Sequence, residues 1–157
     1  MSQSKSEQLL LLAEKRRQST FDGYYNLRDF HDGIYDFNYV FPWSKPAHNE
    51  DADVVVVAQD WDSSTNLEKE PDKEVVRLGH NPKLDTNINL KRLLVQHLGM
   101  DFAVTYAIEV FPFIKKGNMS ARIPFRHLTR TARDFAIPVI EIVKPKLVVC
   151  LGLNTFN

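Results

Sequence analysis

Two acids stand where chemistry is easiest to arrange. Asp60, with Gln59 before it, closes the run Val54-Val55-Val56-Val57-Ala58, and Glu109 closes Thr105-Tyr106-Ala107-Ile108. A carboxylate so placed can hold a water for attack, and an amide beside it can read the polar edge of a planar ligand. Asp60 is equally suited to capping the turn after its strand, and both readings stand on position alone. If Asp60 and Glu109 face each other, like charge raises one of their pKa values and favours an acid and base pair over two caps. Lys115, Lys116 and Arg122 form a small basic cluster, extended by Arg126 and His127. It suits phosphate oxygens or a solvated face. His80 and His127 are isolated and give no metal-ligand pattern, so no metal is expected. Cys150 reads as a core residue, and as the single cysteine it supports no disulfide framework. There is no Gly-rich phosphate loop ending in Lys-Ser/Thr and no dinucleotide fingerprint, so no cofactor is expected.

The elements that must position these residues follow from pattern. Four consecutive valines are too short for a soluble helix and lack alternation, which predicts a central strand buried on both faces. Phe102 to Val110 reads as a second strand, and Lys146 to Leu151 as a third buried one. Between them, Ile88, Leu90, Leu93, Leu94 and Leu98 recur at mostly three and four spacing and predict an amphipathic helix ending at Gly99, with Thr86 or Asn87 as its cap. A further helical region spans Leu128 to Ile142, interrupted by Pro138 and stopped by Pro145. The order strand, helix, strand, helix, strand predicts an α/β three-layer sandwich with a mainly parallel central sheet and right-handed crossovers. In such sheets ligands bind at the carboxyl ends of the strands.

Residues 1–45 are expected to pack onto this domain, which spans 46–157. Glu7 to Gln18 reads as a helix. Nine aromatic residues follow between Phe21 and Trp43, where Tyr35, Phe37, Tyr39, Phe41 and Trp43 alternate as in a short edge strand. The rest of this segment reads as irregular chain lying over the sheet, with Ser63 to Lys73 as a solvated loop. The 157 residues suit one domain, with 43% hydrophobic and 25% charged residues. A formal net charge of +0 argues against wrapping or architectural DNA binding and leaves room for a local basic patch. One cysteine, four consecutive leucines at most near the start and no secretory pattern point to a reduced intracellular setting without a membrane segment.

In this order and spacing the motifs resemble the uracil-DNA glycosylase superfamily over about Asp53 to Asn157. Ala58-Gln59-Asp60-Trp61 resembles the family's water-activating Gly-Gln-Asp-Pro-Tyr-His. Thr105 to Phe113 with Lys115-Lys116-Gly117-Asn118 resembles the strand ending in the base-reading Asn and the loop after it, and Lys144 to Gly152 resembles the last strand before the C-terminal helix. The resemblance implies that Asp60 positions water and supports the positive charge growing on the sugar. It implies pocket roles for Gln59, Trp61, Asn89 and Glu109, phosphate contacts for Lys115, Lys116 and Arg122, and DNA containing uracil or another damaged base as the partner. Glu109 falls where an Asn would read uracil, and a carboxylate donates to a carbonyl oxygen only when protonated. The His-Pro-Ser region expected after the last strand is not among these residues, so the resemblance implies a C-terminally incomplete domain. The alternative from another class is a non-catalytic nucleic-acid or protein-binding module on the same fold.

Overall fold

The computed structural model describes residues 3–156. The chain runs through α1 (Lys5–Gln18), β1 (Val54–Asp60), α2 (Ser64–Leu67), α3 (Lys73–Leu78), α4 (Asp85–Leu93), β2 (Tyr106–Phe111), α5 (Phe125–Thr131), α6 (Ile137–Val143), β3 (Leu147–Cys150) and α7 (Leu153–Phe156). The three strands form one parallel sheet in the order β2-β1-β3, so the valine strand is central. The fold is α/β.

Because β1 is covered on both faces, its alternate residues enter different cores. Val55 and Val57 pack with Ile108, Leu128, Phe135 and Val139 on the side of α5 and α6, and with Leu9 and Ala13 of α1. Val54 and Val56 pack with Ala107, Leu90, Leu94, Phe102 and Trp43 on the side of α4. The four valines are between 0% and 5% exposed, and burial of each side chain stabilises by about 1.5–3 kcal/mol. A parallel strand with both faces covered needs this unbroken apolar run.

Several elements differ from the sequence pattern. The second strand begins at Tyr106, because Phe102–Val104 closes a 3-10 turn in which Thr105 donates from both N and Oγ1 to the Phe102 carbonyl. The third strand is a half-open edge: it pairs only with β1, and Leu147 and Val148 are 45% and 38% exposed. The Ser63 to Lys73 stretch contains α2, whose Ser64 and Leu67 are buried. Neither Thr86 nor Asn87 caps α4; Leu84 stands at that position without a side-chain cap. The helix continues as a π-helical turn, Leu94–Leu98, and ends at Gly99 in the left-handed region. A second π-helical turn, Ala132–Ala136, runs into Pro138 at the start of α6, where the missing proline N–H is tolerated.

The alternating aromatics form no strand. Their backbone is held from one side by Arg16 of α1, whose side chain is fully buried. It donates from Nε to the Val40 carbonyl at 3.2 Å and from Nη2 to the Tyr39 carbonyl at 3.2 Å, and it pairs with Asp36 at 2.7 Å. Its Nη1 also donates to Asn26 Oδ1 at 3.0 Å, while the Asn26 amide donates back to the carbonyls of Arg16 and Ser19. A guanidinium with five fixed donors replaces the neighbouring strand that these carbonyls would otherwise require. Arg16→Met should therefore lower unfolding free energy by about 3–5 kcal/mol, the usual cost of breaking a buried pair from one side. Urea denaturation followed by circular dichroism measures this, and a loss below about 1 kcal/mol would remove Arg16 as the staple of this segment.

Candidate active site

The site lies at the carboxyl ends of β1 and β2. Glu109 pairs in register with Ala58, while Asp60 stands one step further along, opposite Phe111. Beyond β2 the chain is fixed on two sides. Tyr25 and Ile114 exchange backbone hydrogen bonds at 2.9 and 2.8 Å, and Ser64 N donates to the Lys115 carbonyl at 2.9 Å. Lys115 is thereby driven inward. Its ammonium meets Asp60 Oδ2 at 2.7 Å and donates to the Met119 carbonyl at 2.6 Å, with the two side chains of the pair only 4% and 8% exposed. Asp60 Oδ1 accepts from Gln59 Nε2 at 2.9 Å, and Gln59 Oε1 accepts from Asn154 Nδ2 at 3.0 Å. Asp60 is the carboxylate of a buried ion pair and caps no helix.

Beside Asp60 is a cavity of about 160 Å³ with Trp43, Trp61, Asp62, His80, Asn87 and Glu109 in its wall. Glu109 is 1% exposed; its Oε1 accepts Trp43 N–H at 3.3 Å and its Oε2 meets no protein group. Burial, and to a lesser degree the charge of Asp60, pushes its carboxyl well above the ordinary range, opposed by the Trp43 N–H. Burial is thus the main cause, and the like charge of Asp60 adds less than the Trp43 N–H removes. Asp62 is also raised, first by burial, against hydrogen bonds from Asn66 and Ser63 N–H. Also in the wall, the His80 imidazole is pushed down by burial and then by the Lys91 ammonium. The ring is neutral, with Nε2 accepting from Lys91 at 2.9 Å and Nδ1–H directed at the Leu78 carbonyl at 3.3 Å. Trp61 closes the rim, its Nε1–H donating to the Gly79 carbonyl at 3.0 Å. Gly79 has φ +75°, and a Cβ there would lie 2.5 Å from the Pro42 carbonyl, so glycine lets this turn reach the Trp43 segment.

A second, open and polar cleft of about 450 Å³ meets the cavity at Asp60 and Met119 and includes Gln59, Ser120, Arg122 and Asn154. Of the residues singled out by sequence, Asp60, Trp61 and Glu109 line the first cavity, while Gln59 lines the cleft. Asn89 is exposed on α4 and belongs to neither; Asn87, two positions earlier and 6% exposed, takes the place expected of it. Two residues turn a helix by about 200°, so the two side chains point apart. Asn87 shares its inward face with Leu90 and Leu94, a spacing that could have revealed it. Lys115 departs from its expected role as a phosphate contact, being occupied by Asp60, whereas Lys116 and Arg122 are exposed. Lys116 reaches over the Tyr25 ring at 5.3 Å. Cys150 is half-buried, and burial raises its thiol. Among the described residues no group of three or more His, Cys, Asp and Glu could hold a metal ion, and no helix is long and apolar enough to cross a membrane.

No protein-family model and no curated protein sequence matches the chain. What the site can do therefore rests on its own geometry, an ion-paired carboxylate and a buried carboxyl with a raised pKa lining one cavity.

The raised pKa of Glu109 has a thermodynamic signature. Above its ordinary value of 4.5 the unfolded chain releases this proton, while the folded chain holds it up to the raised value. The native state then binds more protons, so unfolding free energy falls as pH rises through this window and levels off above it. Glu109→Gln removes the titration. The stability of the variant relative to the native protein should climb by up to roughly 1 kcal/mol per pH unit from about pH 5 upward. Thermal unfolding across pH 4.5–8 checks this, and parallel curves for the two proteins would place Glu109 in its ionised form.

Proposed function

We propose that this chain is a glycosylase-like hydrolase that cleaves the N-glycosidic bond of uracil or another damaged base in DNA. The observation that carries the reading is the pairing of two carboxyl groups in different states at the sheet's carboxyl edge, Asp60 against Lys115 and Glu109 buried without a charge partner. Carboxyl groups held in different protonation states by their surroundings are the usual equipment of glycoside cleavage. The motif resemblance around Asp60 gives the same answer from a separate line of argument.

In this reading the departing base enters the cavity between Trp43 and Trp61, and the sugar lies toward the cleft. Asp60 orients the attacking water with lone pairs left free by Lys115 and Gln59, and its negative charge supports the sugar as positive charge grows on it. An uncharged Glu109 both donates and accepts, as the amide of an Asn does. Glutamate in the base-reading position is thus compatible with a base that carries adjacent carbonyl and N–H groups. Extracting a nucleotide from a duplex costs a few kcal/mol of stacking, a cost that a base in single-stranded DNA largely avoids.

Base release from uracil-containing oligonucleotides tests the assignment. Asp60→Asn should slow release by about 10²- to 10⁴-fold, and absence of release by the native protein from both single- and double-stranded substrate would end the enzymatic reading. DNA binding has its own measure. Lys116→Ala with Arg122→Ala should weaken binding and reduce the slope of log affinity against log salt by about 2, roughly 1 for each phosphate no longer neutralised. Fluorescence anisotropy across a salt series reads the slope, and an unchanged slope would take both residues out of the interface.

A further inference from the structure

Several polar groups in the wall of the cavity are already engaged within the protein. Trp61 Nε1–H is used by Gly79, both nitrogens of His80 are engaged, and the Asn87 amide donates to the Asn81 carbonyl at 2.6 Å. Glu109 Oε2 is different: it is buried, belongs to a residue 1% exposed, and has no partner. Buried polar atoms are nearly always paired. One left open in a cavity wall is kept for a ligand. Because Oε1 already accepts from Trp43 N–H, the proton of an uncharged Glu109 belongs on Oε2.

Resting on the hydrolase reading above, we propose that Glu109 is the general acid of the site, delivering the Oε2 proton to a carbonyl oxygen or imine nitrogen of the departing ring. The C–N bond breaks with its electron pair going to the ring, and the proton from Glu109 neutralises that charge. Water forms the new C–O bond and loses its proton to Asp60. The products are a neutral base and a sugar hydroxyl, with Glu109 ionised and Asp60 protonated until exchange with solvent returns one proton to Glu109. This assigns the substrate class. The enzyme takes N-glycosides whose ring departs poorly as an anion, and a ring that departs easily as an anion gains little from Glu109. The groups facing Glu109 fit the role: Asp60 at the end of β1 is held by Lys115, Asp62 is beside it, and His80 accepts from Lys91.

The test compares leaving groups. Glu109→Gln keeps the shape and can still donate a hydrogen bond, but it cannot transfer a proton. Single-turnover release of uracil is compared with that of 5-fluorouracil, which leaves more readily as an anion, from otherwise identical oligonucleotides. The variant should slow uracil release by about 10²-fold or more and 5-fluorouracil release at least ten times less. Equal slowing of both, or none, overturns the acid role while leaving the hydrolase reading intact. A native protein that releases neither base overturns the hydrolase reading and this role with it. A measurement on the native protein alone covers the case of a variant that does not fold. Its uracil release should fall as pH rises through the Glu109 ionisation, more steeply than its 5-fluorouracil release, and matching pH profiles for the two bases overturn the proposal.

Discussion

A charge removed from water must be matched where it lies, and the site is built around that requirement at Asp60. Desolvating a carboxylate costs several kcal/mol unless a partner sits in good geometry. Lys115 supplies this at 2.7 Å, and the surrounding chain is arranged to bring Lys115 there. Its backbone is clamped by Ser64 on one side and, through Ile114, by Tyr25 on the other. Tyr25 adjoins Asn26, which is tied to Arg16, and Arg16 in turn gathers the carbonyls of Tyr39 and Val40. The N-terminal aromatic segment therefore helps to position Lys115 against Asp60, even though it contributes few groups to the cavity.

Placing Glu109 one step back along the neighbouring strand gives the second carboxyl the opposite environment. It has one backbone N–H and no cation within reach, so the medium around it favours the proton. The contrast depends on sheet geometry more than on residue type. Asp60 lies at the very end of β1, where the chain beyond β2 can fold back to it, while Glu109 lies opposite Ala58, under the Trp43 turn. Two acids on adjacent parallel strands thus diverge in state because one is within reach of a loop and the other is not.

The sequence made the strands of this site legible and left its pairings hidden. A run of four valines admits little but a two-faced strand, and its polar end identifies Asp60 directly. The half-open state of β3 could not be read in the same way, since Leu147 to Leu151 is as apolar as a central strand and exposure depends on what lies beside it. The aromatic alternation at Tyr35 to Trp43 has a strand's period, yet a single arginine from α1 satisfies its carbonyls. Asn87 and Asn89 have identical chemistry, and only the phase of α4 separates them. Lys115 looked like a surface cation among other basic residues, because neighbours in sequence do not reveal which of them a distant turn will press inward.

Lys115 also joins the two parts of the site. By holding Asp60 and the Met119 carbonyl together, it fixes the loop whose Met119 borders both the first cavity and the polar cleft. On the proposed reading, a base in the cavity and a backbone in the cleft meet where the two spaces adjoin, at Asp60 and Met119. An ammonium there has a second consequence. It reduces the like-charge repulsion that Glu109 would feel on losing its proton, so ionisation of Glu109 is opposed mainly by burial. The same pair therefore gives the Asp60 carboxylate its partner and tempers its effect on the neighbouring carboxyl.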